Sequence, residues 1–142
     1  MQAPVLPTLL ALALAASAAA AERGFTVTER ADRVVITVDG EAFTEYRFQD
    51  TPRPYFYPLL GPGGVPLTRN FPMSRDRADE DHDHPHHRSL WYAHGDVNGV
   101  DFWADGPQRG RIEHEKVLEA RGGAEEGVLR TASRWVKPDG AV

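Results

Sequence analysis

Five of the six histidines lie between residues 82 and 94, as His82, His84, His86, His87 and His94. They sit in and just after the run Asp79-Glu80-Asp81-His82-Asp83-His84-Pro85-His86-His87-Arg88. A neutral imidazole near pH 7 can move a proton or hydrogen-bond a sugar hydroxyl. Imidazoles and carboxylates together can instead ligate zinc, copper, iron, nickel or manganese. Asp83 can orient one ring by accepting its second N–H. The spacing leaves these readings open. Pro85 argues against an interior strand through His84 and His86, His86 and His87 point to opposite sides of an extended chain, and neither H-E-x-x-H nor a zinc-finger pattern is present. A plain polar loop is a further alternative, with His82 and His84 on the surface and His87 held by a structural hydrogen bond.

What surrounds the histidines narrows the chemistry. Leu90-Trp91-Tyr92 follows directly and Phe102-Trp103 lies a little further on. Apolar ring faces beside polar donors and carboxylates suit a carbohydrate, or a small-molecule pocket in general. The main expectation is a carbohydrate-processing enzyme with a His/Asp-rich pocket. His87 or His94 would act as acid or base and Asp83 would orient an imidazole. His86, Arg88, Trp91, Asp101 and Trp103 would bind substrate, although core packing is an equal alternative for one of the tryptophans. Asp96 and Asn98 add acceptors, and Asp83, Asp96 and Asp101 are the candidates for a glycosidase-type carboxylate pair. A metal-dependent oxidoreductase is the second expectation, with His84, His86, His87, His94 and Asp83 as the ligand pool. A non-catalytic glycan-binding module is the third. The residues by themselves name no cofactor. No G-x-S-x-G elbow, phosphate-binding loop or dinucleotide fingerprint is present.

Composition removes other classes. There are no cysteines, which excludes disulfides, thiolate catalysis and Cys-ligated metals. A formal charge of −5 argues against a nucleic-acid partner, whose backbone demands a basic surface. The expected partner is a small molecule or glycan, and the oligomeric state is left open.

The elements that must position these residues read as strands. Phe25 to Glu29 alternates, Arg33 to Val38 is rich in β-branched residues, and Glu41 to Phe48 alternates again. Asp39-Gly40 between the last two is a hairpin turn, because Gly tolerates the positive φ of a type I′ turn. Pro52, Pro54 and Pro58 confine Tyr55-Phe56-Tyr57 to an edge strand or extended loop. Asn70 to Arg88 is long and without period, hence functional or disordered. Ser89 to His94 is a short strand, Asn98-Gly99 a turn, Arg111 to Ala120 a strand or helix, and Val128 to Lys137 a strand. The fold class is therefore all-β, a partial β-sandwich.

Residues 1–21 read differently. Val5 to Ala21 is uncharged and almost wholly apolar, and Ala19 and Ala21 form an A-x-A cleavage pattern before Glu22. This layout predicts a signal peptide over 1–21 and a periplasmic or extracellular mature chain. After Ala21 there is no apolar stretch of membrane-spanning length. Residues 22–142 would form the N-terminal part of a truncated β-sandwich domain, because the turn Pro138-Asp139-Gly140 is followed by only two residues.

The stretches Arg53-Pro-Tyr-Phe-Tyr-Pro-Leu-Leu-Gly-Pro and Val65-Pro-Leu-Thr-Arg, and the block Asp83-His-Pro-His-His-Arg-Ser-Leu-Trp with Asn98-Gly-Val-Asp-Phe-Trp after it, resemble a bacterial family labelled PmoA-like, or methane oxygenase PmoA family. The resemblance covers roughly Phe25 to the end. It implies a longer chain, an association with sugar and polysaccharide utilisation, and the supersandwich of galactose mutarotase-like proteins. It also makes His86, His87 and His94 the leading site residues.

Overall fold

The computed structural model describes residues 23–142. The expected signal peptide over residues 1–21 lies outside the described residues. Seven strands follow in chain order: β1 (Phe25–Glu29), β2 (Arg33–Val38), β3 (Glu41–Arg47), β4 (Tyr55–Leu59), β5 (Leu90–Trp91), β6 (Arg111–Arg121) and β7 (Val128–Val136). A single 3₁₀ turn occupies Pro62–Gly64. The all-β expectation holds, and Arg111–Arg121 is a strand rather than a helix.

β1 to β5 form one antiparallel sheet in sequential order, and β6 and β7 form a second, two-stranded sheet. Local chemistry explains the first sheet. Asp39 and Gly40 take φ of 52° and 78°, the pair of positive values a type I′ turn requires. That turn sets the register in which Val34 faces Tyr46, and Tyr46 in turn faces Phe56. Val34 is fully buried and Tyr46 nearly so. Side chains of this kind contribute about 1.5–3 kcal/mol each when removed from water. The opposite face is polar: Glu45 accepts from Arg47 at 2.7 Å and lies 3.5 Å from Arg33.

The β6–β7 hairpin lies against the apolar face. Ile112 pairs with Trp135 and His114 with Ser133. His114 stacks on Phe48 with ring centroids 4.1 Å apart, and its Nδ1 lies 3.3 Å from the Tyr46 hydroxyl. Burial raises the Tyr46 pKa. Bulges after His114 and after Val117 then break the alternation, and Leu118 ends up exposed. Backbone hydrogen bonds tie the two sheets at separated points, Phe25 with Gly123 and Ile112 N–H with the Pro52 carbonyl. Between them remains a cleft of about 480 Å³, lined by Phe56, Leu90, Tyr92, Leu129 and Trp135 among others. Among the described residues no helix is long and apolar enough to cross a membrane.

Candidate functional site

The long segment after Asn70 folds as a compact surface loop whose ends meet, with Thr68 and Ser89 joined hydroxyl to hydroxyl at 2.7 Å. Two charged side chains shape it. Glu80 accepts from the Asn70 and Phe71 backbone N–H groups at 2.7 and 2.9 Å and from the Asn70 amide at 2.9 Å. Arg69 donates to the carbonyls of Asp83 and His84 at 2.7 and 3.0 Å and to the Asp83 carboxylate at 2.5 Å. Phe71, nearly fully buried, is the loop's apolar centre. His82 stacks on it at 4.6 Å, with Arg69 and Arg75 over the same ring. Removing the Arg69 guanidinium leaves the Asp83 and His84 carbonyls without those donors. Arg69→Ala is therefore expected to speed amide hydrogen exchange tenfold or more over residues 81–89, with β2 and β3 unchanged.

Arg69 holds the chain where it turns. His84, Pro85, His86 and His87 make a β-turn closed by the His87 N–H on the His84 carbonyl at 2.9 Å. Pro85 occupies the position where its fixed φ is an advantage. The turn gathers three imidazoles: ring centroids are 4.9 Å apart for His84 and His87, 4.4 Å for His86 and His87, and 5.8 Å for His84 and His86. His87 then meets Trp91 at 6.0 Å and Trp103 at 5.6 Å, and the two indoles lie 4.7 Å apart. Trp91 meets this cluster and, with Leu90 and Tyr92, also borders the inter-sheet cleft. Trp103 is exposed at 43%.

Beneath the indoles lies Arg53, only 1% exposed. Its guanidinium sits 5.1 Å from the Trp91 ring. Nη2 donates to the Ala104 carbonyl at 3.1 Å and pairs with Asp105 at 2.9 Å. The other Asp105 oxygen accepts from Arg88 at 3.0 Å. Nε and Nη1 of Arg53 are buried with no hydrogen-bond partner among the described residues.

The structure brings together only part of the expected site. His84, His86, His87, Trp91 and Trp103 share one surface, with Arg88 beside it. Asp83 does orient an imidazole, but that of His84, whose Nδ1 lies 2.6 Å from the carboxylate. His94 stands apart. Its Nδ1 is engaged with the backbone of Asp96, and it faces a separate shallow depression with Tyr92, Asn98 and Trp135. Asp101 is occupied in shaping the backbone, accepting from the Trp103 and Ala104 N–H groups at 2.7 and 3.2 Å and from Arg109 at 2.9 Å. Asp96 caps the Gly99 N–H at 2.8 Å. The alternative ligand pool is not assembled: among the described residues no three His, Asp or Glu side chains are placed to share a metal ion. His84 and His87 are stacked, with an angle of 16° between their planes, so they meet by their faces. Arg53, Arg69, Glu80 and Asp105 were not legible as site residues. The one chemical hint is Arg53 between Pro52 and Pro54, an arginine on a stiff stretch of backbone.

The electrostatics favour neutral imidazoles. Burial lowers the pKa of both His86 and His87 from the ordinary 6.5, and the neighbouring histidines lower it further. Burial does the same to His114. The Arg69 hydrogen bond, with that of His84, holds the Asp83 carboxyl low. For an imidazole with a depressed pKa the unfolded chain binds the proton more readily. Stability is therefore full above the ordinary value and falls as pH drops through it. The urea midpoint is expected to decrease from about pH 7.5 to about pH 5.5. The double variant His86→Gln/His87→Gln should flatten that slope; an unchanged slope would remove these two rings as its cause.

No curated protein and no solved structure gives a significant match to this chain. The resemblance to a methane oxygenase PmoA family is corrected on two counts. The family description that matches carries no oxygenase, carbohydrate or export assignment. The described residues form antiparallel sheets, where a PmoA subunit would be a helical, membrane-spanning protein. With its profile matching residues 33–142, most of the chain, the protein belongs to DUF6807, a family of unknown function.

Proposed function

We propose that the surface formed by His87, Trp91 and Trp103 binds a carbohydrate, and that the chain works as a glycan-binding module of an exported β-sandwich protein. The observation that carries this is the indole pair, 4.7 Å between centroids, with an imidazole against both rings and Trp103 open to solvent. An indole face stacks on the C–H face of a sugar, and neutral imidazoles bond its hydroxyls. Binding is favoured over turnover because His87, His94 and Asp83 do not converge. The inter-sheet cleft supports a sandwich of the mutarotase-like kind as the wider architecture, and the apolar, uncharged leader supports export.

Titrating mono- and oligosaccharides against intrinsic tryptophan fluorescence tests the reading. Saturable quenching is expected, and Trp103→Ala should weaken it about tenfold, some 1.4 kcal/mol. A broad panel that leaves the spectrum unchanged at millimolar sugar would sink the proposal. The Asp83–His84 pair favours a second reading, an enzyme in which the oriented His84 imidazole acts as base. Turnover lost in both His84→Ala and Asp83→Asn would put that reading first.

A further inference from the structure

We infer that the sugar taken by this surface is acidic, a hexuronate whose carboxylate docks on Arg88 beside the indole pair. This deepens the glycan-binding reading and rests on it. The argument begins with a charge imbalance. The chain as a whole carries −5, yet the ground under the indoles is cationic. Among the described residues, Arg53, Arg88 and Arg109 are paired here with two carboxylates, Asp101 and Asp105, leaving one positive charge over.

The geometry then singles out one guanidinium. Arg53 is sealed beneath Trp91 and, among the described residues, bonds only through Nη2, so two of its donor nitrogens stay unanswered there. A buried cation left partly unpaired is costly unless its surroundings supply negative charge. Asp105 supplies some of it but is shared with Arg88. Arg88 engages Asp105 through Nη1 alone and is partly exposed, so Nε and Nη2 remain as a fork. A planar carboxylate matches such a fork with two parallel bonds. One excess positive charge calls for a monoanion, which favours a carboxylate over a doubly charged phosphate. The neighbouring His86 also feels Asp105 and Arg53 directly, so an arriving anion would favour its protonated form and gain a further donor.

The experiment compares galacturonate with its methyl ester, which keeps the ring and hydroxyls and removes only the charge. Binding is measured by tryptophan fluorescence and calorimetry on the whole chain. The acid is expected to bind at least tenfold more tightly than the ester, and the gap should shrink as salt rises from about 0.05 M to about 0.5 M. Arg88→Gln should close the gap and Arg88→Lys should keep part of it. Equal affinity for acid and ester, or a gap that survives Arg88→Gln, overturns the inference while the glycan reading stands. Failure of both compounds and of neutral sugars to bind removes the two together. The wild-type acid-to-ester ratio decides the matter even if the Arg88 variants fold poorly.

Discussion

Arg53→Ala is expected to destabilise the protein by about 3 kcal/mol, the low end for breaking a buried ion pair, because Asp105 keeps a second partner in Arg88. The loss has three parts. The Ala104 carbonyl loses its donor. A cavity opens beneath Trp91 where the guanidinium lay. Asp105 is left with one arginine instead of two. Arg53→Met separates charge from volume. It fills the same space and removes two buried donors that have no partner, so it should lie within about 1 kcal/mol of the wild type. Urea unfolding of the two variants is the measurement. Equal losses in both would show that the charge itself is a net stabiliser, contrary to this account.

Phe102→Ala should cost about 3–5 kcal/mol, as large-to-small changes at buried aromatics do. Phe102 is 2% exposed and packs at a tilt of 56° against Trp135 of β7, ring centroids 4.8 Å apart. Gly110 sits so close to the ring that any Cβ there would overlap it. The ring thus anchors the segment that carries Asp101, Trp103 and Asp105 to the second sheet. Weaker anchoring should also reach the candidate site, raising hydrogen exchange at residues 101–105. Phe102→Leu keeps most of the volume and should lose no more than about 1.5 kcal/mol. A Phe102→Ala loss below about 1 kcal/mol, on the scale of an ordinary surface change, would mean that the ring is not a core residue.

One design recurs at three places around the candidate site. In each, a buried side chain fixes the backbone that presents exposed ones: Phe102 presents Trp103, Arg53 presents Trp91, and Phe71 with Arg69 presents the His84–His87 turn. The loops supply the chemistry and the sheets supply the rigidity. That fits an all-β domain whose strand faces are committed to packing.

Strand identity was legible in the chain alone because it depends on neighbours. Phe25–Glu29 and Val128–Val136 show period-two alternation, Arg33–Val38 is rich in β-branched residues, and Asp39-Gly40 can hardly be anything but a tight turn. The dense block of histidines could be seen too. What could not be seen was which rings would meet. His94 is closer in sequence to Trp91 than His87 is, yet its Nδ1 is taken up by the Asp96 backbone. His84, His86 and His87 converge because Arg69, a side chain from the far end of the loop, pins the turn that joins them. Arg53 reaches Asp105 and Trp91 across separations that no local pattern encodes. Alternation and turn propensity act over a few residues and survive in the sequence. Convergence of side chains depends on where the two sheets and the long loop come to rest, and only the tertiary structure decides that.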